Sequence, residues 1–539
     1  MSGRAPPTPD RTPCPTGSRR RQGNGARPRP ATIAPLDAAI LATHMESRFL
    51  SCGESHFMSD TLTAPAQAAS AAPVRPFRAP APVPNATPLG FFGFLTTASR
   101  NPIEIWGTRA FKEPYIVGKW LGVPNIVIND PAGVRHCLVE NARNYVMQPL
   151  RQRILRPLLR DGLLTAEGAL WRRTRKAIAP VFTPRHTAGF SETMQDRSER
   201  FADGLAARAG GMVDGSHEMT LLTFDILQAT LFTDDIADDG ETFARSTRDF
   251  LGSMGRVDPL DLLGAPAFLP RLRRMRGRKS MDYFRGLIAS TITRRREQIA
   301  RDPDGAPNDL LTLLVKTDGL SASEIEDNII TFIGAGHETT ARSLAWTLYL
   351  LSQAPAERAA VEAELDTILP TLSHPSEWLE RLPYTRAVFE ESLRLYPPAP
   401  SLNRTALAPD RVGDVAIPAG ATVLVMPWLI HRHEMLWDRP DHFIPSRFLP
   451  GNREALDRYQ YLPFGVGPRV CIGASFALME GVIALACLLR GLRFDYEEAA
   501  PPEVVQRITV QPDGGLPLRV SRRTPAPPAP PAPPAPPAG

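Results

Sequence analysis

Residues 464–473 read FGVGPRVCIG. One cysteine, Cys471, sits among Gly465, Gly467, Pro468 and Gly473. Glycine loses more backbone freedom on folding than any other residue, so a packed loop this rich in it implies a purpose. Cys471 stands just ahead of the helical run GASFALMEGVIALACLLRGL. Amides at a helix start, together with the local dipole, stabilise a thiolate. Gly473 has no Cβ, so a flat partner could lie against its backbone. Gly467 can take a positive φ and turn amides toward sulfur. The competing reading is a buried structural cysteine in a turn, the usual fate of a lone cysteine.

Outward from this loop, residues 320–355 read LSASEIEDNIITFIGAGHETTARSLAWTLYLLSQAP. Ser321 with Glu324 three residues on is a capping box, the following run is apolar on more than one face, and Pro355 stops it. This predicts a buried helix of on the order of 30 residues, about 45 Å long, crossing the middle of a domain. Its centre, GAGHETTAR (334–342), holds glycines that each cost roughly 1 kcal/mol relative to alanine. Close helix packing is one explanation for them. His337 is expected to be a packed or solvated histidine without a role. Strand-like sections occur at YIVGKWLGVPNIVIND and VAIPAGATVLVMPW, so the fold class is mainly α with small β-sheets.

These strings, read jointly, resemble the cytochrome P-450 haem-thiolate family. FGVGPRVCIG fits its Phe-x-x-Gly-x-Arg-x-Cys-x-Gly signature through Phe464, Gly467, Arg469, Cys471 and Gly473. ESLR (391–394) resembles the family's Glu-x-x-Arg, followed by LYPPAP. DHFIPSRF resembles its Phe-x-Pro-x-Arg-Phe, with Ser446 where a glutamate is often found. LWRRTRKAI resembles its Trp-x-x-x-Arg through Trp171 and Arg175, and GAGHETT resembles its oxygen-activating helix. The matches span about residues 86–521 in the family's order.

The resemblance implies a single triangular haem domain with a long central helix and haem b as cofactor. Cys471 would be the axial thiolate, which pushes electron density toward iron and favours O–O cleavage. Phe464 would pack beside the sulfur. Arg469, Trp171, Arg175 and, by its distance after Glu-x-x-Arg, Arg404 would hold the haem propionates. Glu391, Arg394 and Arg447 would form a structural cluster holding the cysteine loop. Ala335 and Gly336 would line the haem, with Gly336 leaving room for dioxygen. Glu338 and Thr339 would form an acid–alcohol pair that relays protons. The implied function is a bacterial-type soluble monooxygenase that inserts one oxygen atom of O2 into a small hydrophobic substrate by hydroxylation or epoxidation. A haem-thiolate peroxygenase or isomerase and a non-catalytic haem sensor are the alternatives.

The pocket would use Phe332, Ala335, residues near Leu402 and the turn at 512–515. The chain ends soon after PLRVSRR, so electrons derived from NAD(P)H are expected from a separate ferredoxin or flavodoxin with its reductase. Arg172 and Lys176 could dock that donor, or could simply form a solvated basic face. RLRRMRGRKS (271–280) could touch an anionic membrane or substrate, with a solvated helix face as the plainer reading.

Composition sets the remaining limits. The 539 residues are 43% hydrophobic and 22% charged, with a formal net charge of +5, which is ordinary for a globular chain and gives no case for nucleic-acid binding. Cys14, Cys52, Cys137, Cys471 and Cys487 are scattered and odd in number, against a disulfide framework or a zinc site. With no apolar run near ~18 residues and no secretory signal, a cytoplasmic monomer without a transmembrane anchor is expected. Residues 1–85, rich in Pro, Ala and Arg, are expected to be disordered; a transit peptide or an internal start at Met58 are other readings. Residues 522–539 form a Pro-rich tail, expected to be disordered and extended, either inert or bound by a proline-reading domain.

Overall fold

The computed structural model describes residues 75–235, 246, 258–266, 278–307 and 309–524. The chain divides into Met1–Ser70 and Ala71–Gly539, and every described residue falls in the second unit. Residues 1–74, most of RLRRMRGRKS and the tail beyond 524 lie outside the described residues.

The helices that build the site are α1 (Phe91–Arg100), α2 (Pro149–Leu159), α3 (Gly168–Ile178), α4 (Ser191–Ala207), α5 (Gly215–Leu231), α6 (Pro259–Leu262), α7 (Ala322–Gln353), α8 (Pro383–Leu395) and α9 (Ala474–Gly491). The capping box forms as expected. Ser321 N donates to Glu324 Oε2 at 2.7 Å, and Glu324 N donates to Ser321 Oγ at 3.2 Å. With its start fixed and Pro355 barring continuation, α7 runs 32 residues, about 48 Å. It packs along α5 on one side and against α8 and α9 on others, so its apolar residues are buried nearly all round.

The strands are β1 (Tyr115–Trp120), β2 (Val123–Ile128), β3 (Tyr145–Met147), β4 (Met212–Asp214), β5 (Arg404–Ala406), β6 (Asp410–Val412), β7 (Val415–Ile417), β8 (Thr422–Leu424), β9 (Leu492–Asp495), β10 (Val504–Gln506), β11 (Val510–Pro512) and β12 (Pro517–Arg522). The largest sheet has the order β1-β2-β8-β5-β3, in which β2 and β8 run parallel and the other pairs antiparallel. The first strand-like section of the sequence is the β1–β2 hairpin. The second splits: β7 pairs with β6, and β8 enters the large sheet.

Both domain limits extend past the expected ones. Residues 75–85 are packed, not free. Ala79 is buried, Phe443 N donates to Phe77 O at 2.8 Å, and Tyr396 Oη donates to Pro80 O at 2.9 Å. A proline-rich segment lacks the periodicity of a helix or strand, yet its carbonyls still accept bonds and its rings still bury. At the other end β12 reaches Arg522, and the buried Arg523 pairs with Asp366.

Among the described residues one helix, α9, is long and apolar enough to cross a bilayer, although Glu480 and Arg490 interrupt its apolar run. Two thirds of it is buried within the helical core, packed on α4, α7 and α8.

Candidate haem site

The cysteine loop is shaped by two left-handed glycines, Gly465 at φ +67° and Gly467 at φ +76°. At Gly467 a Cβ would fall 1.9 Å from the Leu138 carbonyl oxygen, so only glycine fits there. Cys471 N donates to Phe464 O at 2.8 Å, which closes the loop on itself. The amide aimed at sulfur is that of Gly473. A Cβ on Gly473 would meet nothing closer than Phe182 at 3.9 Å, which leaves room beside its backbone. The Cys471 side chain is itself exposed, although protein is packed closely behind it. Burial pushes its thiol above the ordinary range; the Gly473 amide and the Arg175 guanidinium act in the opposite direction.

Across from this loop lies the middle of α7. Its residues are buried from Asp327 to Leu351 except at Gly334, Ala335, Gly336, Thr339 and Arg342. Ala335 is exposed and nothing lies within 4 Å of a Cβ on Gly334. An apolar interior helix therefore opens onto space at the GAGHETT turn. Phe182 links the two sides, stacking on Phe332 of α7 at 5.5 Å and meeting Phe476 of α9 edge-on at 6.4 Å.

At this turn a Cβ on Gly336 would lie 2.6 Å from Leu227 Cδ1, so its missing side chain admits α5. Glu338 and Thr339 point in different directions. Neighbours on a helix point about 100° apart. Thr339 Oγ1 donates to Ala335 O at 2.8 Å on the open face. Glu338 is buried and accepts from Thr509 Oγ1 at 2.9 Å, with Arg342 3.8 Å away. Burial raises its carboxyl above the usual range, against the pull of Arg342 and Thr509. Thr509, in the β10–β11 turn, gave no sign of this in the sequence. His337 is packed as expected: its Nδ1 bonds Ile333 O at 2.5 Å, and burial lowers it to about 4.

The expected propionate residues gather as a cationic cluster. Arg469 lies 4.4 Å over the Trp171 ring, donates to Ala166 O at 2.7 Å and pairs with Glu167 at 3.1 Å. Arg404 donates to Asn403 O at 3.0 Å, and burial with Arg151 and Arg469 nearby lowers it to about 10. Arg151 on α2, which the sequence did not single out, donates to Ser401 O at 2.8 Å and feels the charge of Arg469. Among the described residues, Glu167 is the carboxylate that acts on Arg404 and pairs with Arg469, while Arg151 adds a third positive charge. Arg175 faces Cys471 and pairs with no carboxylate among the described residues. The uncompensated charge and the open backbone at Gly473 fit a flat dianion with an iron centre.

The supporting cluster is present, with one weaker member. Arg394 binds Glu391 through two bonds of 2.7 and 2.8 Å, both residues being fully buried, and donates to the carbonyls of His431, Pro440 and His442. Arg447 Nε is 3.6 Å from Glu391, so it is a looser partner than expected. The link onward to the cysteine loop is His431. Its Nδ1 bonds Arg394 O at 3.1 Å and its Nε2 accepts from Leu462 N at 2.7 Å, two residues before Phe464. Burial and the Arg394 charge lower this histidine to about 3, which keeps it neutral.

Of the residues expected to line a substrate space, Ala335 is on the opening. Phe332 is buried by its stacking partner Phe182, Leu402 packs over Gly465, and Gly515 of the 512–515 turn abuts Asp214.

Comparison with known proteins agrees with this layout. The family model described as Cytochrome P450 matches residues 83–517. Cyclooctatin synthase of Streptomyces melanosporofaciens is 33% identical over 365 residues, covering 66% of this chain and 78% of that protein. The chloroplastic carotene epsilon-monooxygenase of Arabidopsis thaliana is 28% identical over 424 residues, covering 74% and 78%. The crystal structure of the cytochrome P450DA haem domain superposes with a TM-score of 0.69 at 26% identity, covering 83% of this chain and 99% of that one.

Proposed function

The chain belongs to the cytochrome P450 family, and from that premise we propose that it is a soluble, bacterial-type monooxygenase acting on a large apolar hydrocarbon. Haem supplies the activation of dioxygen when bound. The observation that carries the reading is that Ala335 and Thr339 are exposed or half-exposed in the middle of a helix that is otherwise largely buried, and that Cys471 is exposed in the loop whose Gly473 leaves its backbone open.

Each residue then has a task. Cys471 Sγ would hold the iron, with the Gly473 N–H and Arg175 favouring its anionic form. Arg151, Arg404 and Arg469 would hold the propionates, for which guanidinium forks are suited. Thr339 Oγ1 would hold water or substrate oxygen on the open face of α7. Glu338, whose carboxyl burial shifts toward the protonated form, would turn from Thr509 toward that water and pass a proton to it. Electrons derived from NAD(P)H would come from a separate ferredoxin or flavodoxin, docked on the exposed Arg172 and Lys176 of α3, the helix that also carries Arg175.

An apolar substrate is supported by the small residues Gly334 and Ala335 at the opening, and a large one by a relative whose name specifies carotene. A cytoplasmic monomer is the simplest state for this arrangement. The test is a ligand screen read by the haem Soret band, followed by turnover of the hits. With a competent donor, wild type should couple the oxidation of NAD(P)H and the consumption of O2 to the formation of oxygenated product from the hit compound. Thr339→Ala should keep consuming oxygen while product falls about tenfold or more and peroxide rises. Unchanged coupling in that variant would remove Thr339 from proton delivery. Absence of the red-shifted thiolate band in the reduced carbon-monoxide spectrum would remove Cys471.

A further inference from the structure

A cavity of about 740 Å³ lies at the C-terminal end of α7 and shares no lining residue with the haem site. Its walls include Phe77, Pro80, Phe111, Tyr349, Trp428 and Tyr496. Phe77, Phe111 and Tyr496 are half-buried, and Val83, also in the lining, is 87% exposed, so apolar surface is left facing solvent. One wall is already a proline-rich segment, residues 77–84, seated on aromatic side chains. Phe77 meets Tyr349 edge-on at 6.2 Å, and Tyr396 Oη donates to the Pro80 carbonyl at 2.9 Å. Tyr496 meets Tyr349 edge-on at 5.1 Å, which extends the platform of rings.

The charges of the lining are balanced. Its cations are Arg78, Lys112 and Arg432, and its acids are Glu434, Asp441 and Glu498. Arg78 lies 3.2 Å and Arg432 3.6 Å from Asp441, and Lys112 lies 3.4 Å from Glu434. This balance calls for an uncharged occupant. The unmet need is for hydrogen-bond acceptors. Arg432 is buried, stacks 3.9 Å over the Trp428 ring, and has no acceptor for any of its three side-chain nitrogens. Such donors suit the carbonyls of a peptide backbone.

Residues 525–539, outside the described residues, match both requirements. They read PAPPAPPAPPAPPAG, with no charged side chain and with alanine at every third position, 526, 529, 532, 535 and 538. A polyproline II helix has three residues per turn, so this repeat would give one face of alanine and two rows of proline rings. Helices of this kind dock on aromatic-lined grooves with little entropy left to lose, and their carbonyls have no internal partner. The reach is sufficient. Arg522 pairs with Leu492, and Arg519 pairs with Asp495, which Tyr496 follows. The aromatic platform therefore begins about 13 Å back along β9 from the end of β12. Fifteen residues in polyproline II form span about 46 Å.

We infer that residues 525–539 dock in the cavity of their own chain as a polyproline II helix, with proline rings on Phe77, Phe111 and Tyr496 and carbonyls accepting from Arg432. The test is photocrosslinking of the haem-loaded full chain with p-benzoylphenylalanine in place of Ala499, an exposed residue of the lining. The expected product is monomer-sized, with its linkage mapped by mass spectrometry to 525–539. Replacing four prolines, Pro530→Gly, Pro531→Gly, Pro533→Gly and Pro534→Gly, should cut its yield about tenfold, because the rings and the pre-set backbone are both lost. The carbon-monoxide spectrum of the reduced protein should stay as in wild type. Four results would overturn the inference. No linkage could form. It could fall elsewhere in the chain, residues 1–74 included, which would give the cavity to another segment. It could join two chains, which would give the cavity to a second copy. Or the glycine variant could crosslink as wild type does.

Discussion

His431 does no chemistry, yet it joins the buried Glu391–Arg394 pair to the loop that presents Cys471. Its lowered basicity makes it an acid-sensitive part of the fold. The folded value is about 3 against an ordinary 6.5, so between those values the unfolded chain binds more protons. Stability from this residue is complete above pH 6.5 and is lost as pH falls, by about 2 kcal/mol at pH 5. His431→Gln can donate and accept like the neutral ring but cannot titrate. It should keep haem and flatten the acid limb of Tm against pH. His431→Leu leaves Leu462 N–H and Arg394 O unpaired at a cost of about 1–3 kcal/mol each, and should release haem more readily at neutral pH. Equal acid limbs in wild type and Gln variant would show that the titration lies elsewhere. His337, lowered to about 4, adds a term of the same sign.

At the scale of elements, α7 and α9 face each other through a carboxyl that has no anionic duty in the fold. Glu480 of α9 is buried beside Thr340 of α7, and burial pushes it up to about 8 against the weaker pull of the Thr340 hydroxyl. Its folded value is above the unfolded one, so it costs nothing below pH 4.5 and destabilises progressively as pH rises through 8. Glu480→Gln should therefore raise Tm on the order of 5 °C at pH 8 and leave it unchanged at pH 4. A pH-independent shift would mean that packing, not charge, is the cause. These helices also mark how far the sequence can be read. The start, end and burial of α7 follow from Ser321, Glu324, Pro355 and the apolar run, because caps and periodicity are local. The direction of Glu338 is not local: it depends on Thr509, 171 positions away in the chain. Arg151, Arg153 and Arg156 look alike along α2, and only tertiary packing turns Arg151 toward Arg469. His431 was unreadable for the same reason, since its two partners lie 37 and 31 positions away.

At the scale of the whole molecule, an exposed basic pair, Arg172 and Lys176, lies on the helix that also carries Arg175. Reversing both charges, Arg172→Glu with Lys176→Glu, should slow reduction by an acidic donor about tenfold at low salt and leave the carbon-monoxide spectrum of the reduced protein unchanged. Unchanged reduction rates would move the donor site. The cluster of Arg151, Arg404 and Arg469 around a single Glu167 has a different consequence, one for how the protein is assembled. Before cofactor uptake these like charges repel across a partly buried space, so the haem-free chain holds its own site open under tension. Added salt should then raise the urea midpoint of the haem-free form and do little for the loaded one, because binding has already supplied the missing negative charge. Maturation of the protein would in this sense be an act of neutralisation, and cells short of haem would accumulate a form whose weakest region is the site itself.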